Sequence, residues 1–198
     1  MTIQEELTKL LAEIKTCKVC ESHLSHGVRP VLTGQTSAKI VIIGQAPGIR
    51  VHRSGIPWND PSGDRLRTWM GIDKATFYDD SQIAIVPMGF CYPGKGKSGD
   101  LPPRKECAPL WHERVFNHLP NIELIMLVGS YAQKHYLKKQ MERNMTETVK
   151  VFHNYLPKYL PLVHPSPRNR YWLTKNPWFE KDVIPYLQNR INDLLVKK

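Results

Sequence analysis

The chain has 198 residues, a net charge of +10 and 41% hydrophobic residues, which suits one domain, residues 1–198, with a sizeable core. No apolar run approaches the roughly 18 residues of a membrane span, and Met1-Thr-Ile-Gln-Glu-Glu-Leu lacks the basic and apolar regions of a signal peptide, so a cytoplasmic protein is expected. The positive charge is uneven: Lys134 to Lys175 holds nine Lys or Arg against two Glu, either a solvated basic face or a surface for the phosphates of nucleic acid.

In chain order, Thr2 to Thr16 places Ile3, Leu7, Leu10, Leu11 and Ile14 at helical spacing, with Thr2 and Glu5 set for a capping box. A loop follows from Glu21 to Ala38. Ile40 to Ile43 are four β-branched residues in a row, the pattern of a strand buried on both faces. It stops at Gly44-Gln-Ala-Pro-Gly48, and Ile49 to Gly63 reads as irregular and polar around Trp58. The pattern then predicts a helix over 64–72, a strand over 82–88, a basic Gly/Pro-rich loop over 90–103 and a helix over 104–119. A third strand spans 122–128, a helix runs from Gly129-Ser130 to about Gln140, and Glu142 to Thr148 reads as a polar surface excursion. A fourth strand, 159–163, leads into His164-Pro-Ser-Pro-Arg-Asn-Arg170. The final amphipathic helix runs from Trp178 to about Val196, with a kink expected at Pro185. This alternation predicts a three-layer αβα sandwich around a four-stranded, mostly parallel sheet.

Gly94-Lys-Gly-Lys-Ser-Gly99 matches a phosphate-binding glycine pattern in letters only, because Asp100-Leu-Pro-Pro follows where a helix should open. The loops that carry chemistry are Gly44 to Gly48 and His164 to Asn169. Both leave the carboxyl ends of strands, where open α/β sheets bind ligands. A histidine there can donate to a developing anion, and Pro165 and Pro167 restrict its approach.

Gly44-Gln-Ala-Pro-Gly48 followed by His164-Pro-Ser-Pro-Arg-Asn169 resembles the paired loops of the uracil-DNA glycosylase superfamily, and the likeness runs from Cys17 to Asn169. The spacing of Cys17, Cys20, Cys91 and Cys107 is similar to that of its iron–sulfur branches, families 4 and 5. The resemblance implies a monomeric DNA repair enzyme that flips a base out of DNA and hydrolyses its N-glycosidic bond. It implies that His164 holds the departing base anion and that Gly44, Ala46, Pro47 and Gly48 line the sugar and water. Trp58 would stack on the base, with Asn59 and Pro87 in the same pocket. Ser166, Arg168, Asn169 and Arg170 would meet DNA, and the four cysteines would hold a 4Fe–4S cluster. Zinc is the alternative for four thiolates, and a catalytically weak DNA-binding lesion sensor is the alternative function.

Three departures from the family pattern bear on mechanism. The best-known branch has an acid where this chain has Ala46, so water must be positioned by Gln45, His52, Asn59 or Asp60. Gln45 is the first choice because it lies in the loop. Pro87 occupies the place of an asparagine found in strictly uracil-selective relatives, which leaves other deaminated bases open. The His52-to-Asp64 stretch leans towards family 5 or an unassigned branch.

Overall fold

The computed structural model describes residues 1–196; Lys197 and Lys198, the end of the expected 1–198 domain, lie outside the described residues. Helix α1 (Ile3–Lys15) opens with the expected capping box between Thr2 and Glu5. Strand β1 (Ile40–Ile43) is buried throughout. The stretch expected to be irregular folds instead as α2 (Ile49–Ser54), between Gly48 as N-cap and a left-handed Gly55. Its polar residues have no apolar period to announce it.

Helix α3 (Pro61–Met70) starts three residues earlier than its apolar pattern suggests, because Asp60 caps it and Pro61 fits the first turn. A short α4 (Lys74–Phe77) precedes β2 (Ile83–Ile85). Within the basic loop lies a small antiparallel hairpin, β3 (Lys95–Gly96) and β4 (Gly99–Asp100). The helix expected over 104–119 is shorter, a π-type turn over Ala108–His112 running into α5 (Glu113–Phe116).

Strand β5 (Leu124–Val128) and α6 (Ser130–Leu137) follow as expected. The polar excursion predicted over 142–148 overlaps α7 (Met145–Lys150), capped by Asn144 and anchored by buried Thr148 and Val149. Strand β6 (Tyr159–Leu162) precedes α8 (Arg170–Lys175). In the last helix a π-type turn over Phe179–Val183 leads into α9 (Ile184–Val196). Pro185 thus sits in the first turn of α9, where its missing N–H costs little.

The sheet order is β2-β1-β5-β6, all parallel, with Ile40 opposite Ile83 and Leu124, and Val128 opposite Leu162. Alternation along β1 sorts the core. Ile40 and Ile42 pack with Leu66, Trp69 and Met70 of α3 and with Leu187, Ile191 and Leu194 of α9. Val41 and Ile43 pack with Leu7, Leu10 and Ile14 of α1, Val115 of α5 and Ala132 of α6. Helices therefore cover both faces, as the alternation predicts.

The chain leaves β1 towards β2 on one side, while β5 and β6 add on the other. The switch point lies between β1 and β5, so a crevice opens at the carboxyl ends of those two strands.

Candidate active site

A cavity of about 520 Å³ occupies that crevice. Every strand of the sheet contributes to its walls: Pro87 after β2, Gly44 to Gly48 after β1, Tyr131 after β5 and His164 after β6. Trp58, Asp60 and Ser62 close one side, and the β3–β4 hairpin closes another through Ser98, Gly99 and Asp100. Of the residues singled out from sequence, Gly44, Gln45, Ala46, Pro47, Gly48, Trp58, Pro87, His164, Ser166, Arg168 and Asn169 line the cavity. Asn59 and Arg170 do not.

His164 is fixed by its own loop. The Ser166 N–H donates to Nδ1 at 3.2 Å, so the neutral ring carries its proton on Nε2. Burial pushes the His164 pKa below its ordinary value, opposed by the charge of Asp60. The neutral form with an Nε2–H donor is therefore favoured at neutral pH. Asn169 Nδ2 donates to the His164 carbonyl at 2.7 Å, and Arg65 Nη1 to the Ser166 carbonyl at 3.3 Å. Beneath this loop, buried Gln133 donates to the carbonyls of Leu127 and Leu162, tying the ends of β5 and β6 together.

Trp58 lies 5.6 Å from His164 between ring centroids, with the planes inclined by 31°. Its backbone is left-handed at φ 54°, uncommon for a bulky residue. Two glycines permit this placement. A Cβ at Gly44 would lie 2.7 Å from Trp58 Cζ2, and one at Gly63 would lie 1.7 Å from the Trp58 carbonyl oxygen. Buried Arg67 donates to that carbonyl at 3.4 Å and to the Tyr78 hydroxyl at 3.4 Å, and Tyr78 donates to the Pro57 carbonyl at 2.9 Å. Arg67 and Tyr78 thus hold both peptide carbonyls that carry the indole.

The four sequence candidates for positioning water separate clearly. Gln45 Nε2 donates to the Leu101 carbonyl at 3.3 Å, so its amide braces the hairpin. His52 Nε2 donates to the His26 carbonyl at 3.0 Å, and neither His52 nor Asn59 lines the cavity. Asp60 does. Its Oδ1 accepts the Gly63 N–H at 2.9 Å, leaving Oδ2 free 3.9 Å from where a Cβ on Gly48 would stand.

Pro87 is buried, and its carbonyl is already taken by His112 Nε2 at 3.0 Å. The His112 Nδ1 accepts from the Tyr136 hydroxyl at 2.5 Å. Burial pushes His112 down to about 4 and raises Tyr136. This neutral relay supports the cavity floor from behind the sheet edge. At the mouth, Arg168 Nη1 donates to the Ser98 carbonyl at 2.7 Å and joins the His164 loop to the hairpin. Sequence reasoning missed the hairpin's part in the wall, since two-residue strands carry no period. It also missed Tyr131, for which no local signal exists.

Cys17, Cys20, Cys91 and Cys107 are all free thiols. Among the described residues no group of three or more His, Cys, Asp or Glu side chains is arranged to hold a metal ion. The chemistry of the four thiols nevertheless suits a thiophilic metal. Cys20 and Cys91 pack with Leu24 in one buried cluster. Burial pushes Cys91 up to about 11 and Cys107 up to about 12, with further contributions from Cys17 and Cys20 on both. The backbone amides of Arg29 and Phe90 act oppositely and favour the thiolates of Cys91 and Cys107 respectively. Four thiols, two of them with amide donors that favour the thiolate, make a donor set suited to a shared metal cation.

No helix among the described residues is long and apolar enough to cross a membrane. The chain is 25% identical over 147 residues to the type-4 uracil-DNA glycosylase of Sulfurisphaera tokodaii, a match covering 74% of this chain and 64% of that protein. The chain thus spans under two thirds of the length of that relative. Residues 32–188, which include β1 to β6 and every cavity residue except Val31, match the family model of the uracil DNA glycosylase superfamily. The chain belongs to the uracil-DNA glycosylase superfamily.

Proposed function

We propose that this chain is a single-domain DNA N-glycosylase that hydrolyses the bond between deoxyribose and a flipped-out uracil or other deaminated base. The observation that carries this reading is the convergence of Trp58, His164 and the Gly44–Gly48 loop on one cavity at the sheet's switch point. A planar base fits against the Trp58 indole, since stacking on an aromatic contributes about 1–3 kcal/mol per base. The base departs as an anion, and the neutral His164 donates Nε2–H to the exocyclic carbonyl oxygen of the base that gains charge. The water oxygen bonds to C1′ as the C1′–N bond breaks, and the electron pair leaves with the base. The free Oδ2 of Asp60 orients that water and takes its proton.

Pro87 offers neither a side-chain donor nor a free carbonyl. Base selection therefore rests on shape, stacking and the His164 donor, which suits a range of deaminated bases. Ser166, Arg168 and Arg170 belong to the loop that would meet the DNA backbone or the gap left by the flipped base. Asn169 takes a different part, because its amide is committed to the His164 carbonyl. The four cysteines would hold a 4Fe–4S cluster, which supplies a covalent tie between the segment after α1 and the 91–107 loop.

The test is release of free base. The protein is incubated with duplexes carrying uracil, hypoxanthine or xanthine, and released bases are identified by mass spectrometry, with alkali-labile sites as the second product. Release of at least one deaminated base supports the reading. Salt-sensitive binding without release from any duplex would instead indicate a lesion-binding protein, and no binding at low salt would exclude DNA as the partner.

A further inference from the structure

Asp60 has a counterpart across the cavity. The carboxylate of Asp100, at the end of β4, is held by one oxygen: the Tyr92 hydroxyl donates to Oδ1 at 3.4 Å. Its Oδ2 lies 3.5 Å from where a Cβ on Gly48 would stand, against 3.9 Å for Asp60 Oδ2. Two carboxylates, each hydrogen-bonded at Oδ1, therefore place Oδ2 within 4 Å of the same point. Gly48 keeps that point empty of side chain, beside the loop that lines the sugar end of the cavity. Gln45, donating to the Leu101 carbonyl, fixes the backbone immediately after Asp100.

We propose that Asp100 is a second catalytic carboxylate, sharing with Asp60 the attacking water and the positive charge that develops on deoxyribose. The inference rests on the glycosylase reading and assigns to that site a group from the hairpin. Two anions near one spot oppose an anionic substrate in its ground state and favour a cationic sugar in the transition state. They raise the rate without tightening substrate binding. As the C1′–N bond breaks and the water oxygen bonds to C1′, the water proton passes to one Oδ2 and then to solvent. The base leaves with the bonding pair.

Asp100→Asn and Asp60→Asn are compared with the unaltered protein in single-turnover excision and in binding to two duplexes. One duplex carries a neutral tetrahydrofuran abasic site, and the other a cationic pyrrolidine analogue of the sugar. Asp100→Asn should slow excision roughly 10-fold or more, bind the neutral duplex as tightly as the unaltered protein or tighter, and lose most of the preference for the cationic one. Unchanged excision, or an unchanged preference for the cationic duplex, would overturn the proposal. A parallel loss of affinity for both duplexes would also overturn it, since that marks a structural role. If the unaltered protein excises no base, the glycosylase reading fails, and the cationic preference still decides whether Asp100 faces the sugar. Asp100→Glu, which keeps the charge, should restore part of that preference, and its failure to do so while folded would count against the proposal.

Discussion

Arg67→Met is expected to act on catalysis through Trp58 alone. Arg67 is buried, with its guanidinium 5.1 Å from the Phe77 ring centroid and within 3.4 Å of the Trp58 carbonyl. Its ion-pair partner Asp64 has a side chain 76% exposed, so removing the guanidinium strands no buried anion. Methionine fills most of the apolar volume but cannot donate. A hydrogen bond from a charged donor contributes about 1.5–3 kcal/mol, and a left-handed non-glycine residue holds about 1–3 kcal/mol of strain that its surroundings must oppose. A stability loss of about 3 kcal/mol follows, or about 6–12 °C in Tm for a chain of this size. Once the carbonyl is released, Trp58 relaxes and the base loses its platform. Loss of stacking at about 1–3 kcal/mol slows single-turnover excision about 5- to 150-fold. The decisive assay is a double-mutant cycle with Trp58→Ala at a temperature where all variants are folded. Arg67→Met should have little further effect on the rate once the indole is gone, and Tyr78→Phe should behave similarly with a smaller effect. If Arg67→Met slows the Trp58→Ala protein as much as it slows the unaltered one, the positioning argument is wrong.

Two further outcomes can be checked without knowing the substrate. His112 has a folded pKa of about 4 against an ordinary 6.5, so the unfolded chain binds the proton more readily. Its contribution to stability is complete above about pH 6.5 and is lost as pH falls towards 4, by about 3 kcal/mol. Urea denaturation at pH 7.5 and 4.5 should show a smaller loss for His112→Gln than for the unaltered protein, and equal losses would remove His112 as the cause. Anaerobic reconstitution with iron and sulfide should give a broad visible absorption that Cys107→Ser abolishes, with proton release on loading because burial holds the Cys91 and Cys107 thiols protonated. Tight zinc uptake with no such absorption would favour the zinc alternative.

Much of the molecule is legible in the sequence because its central strands are uniformly apolar and its loops carry strong local chemistry. Ile40 to Ile43 can be buried on both faces only in a covered parallel sheet. The two loops placed at the site from sequence do meet in one cavity. What escapes the sequence is long-range or lacks a period. Helix α7 hides in a polar stretch because Thr148 and Val149 are its only fully buried residues. The start of α3 was written in Asp60-Pro61, a cap and first-turn pair, yet the apolar period begins later. Gln45 looked like the water-positioning group because it lies in the loop, but its amide meets a carbonyl 56 residues away. Of the four sequence candidates, that leaves Asp60 as the one that lines the cavity with an oxygen to spare. The support of Trp58 by Arg67 and Tyr78 depends on where α3 and α4 pack, which no short window of sequence reveals.

The central claim is that a neutral His164 stabilises a departing base anion beside the Trp58 platform. Single-turnover excision by His164→Ala, on whichever deaminated base the unaltered protein releases, tests it most directly. The account predicts a rate loss of roughly 100-fold or more, with affinity for the duplex nearly unchanged because the donor acts on charge that exists only during bond breaking. Excision at the unaltered rate by a folded His164→Ala protein would contradict it.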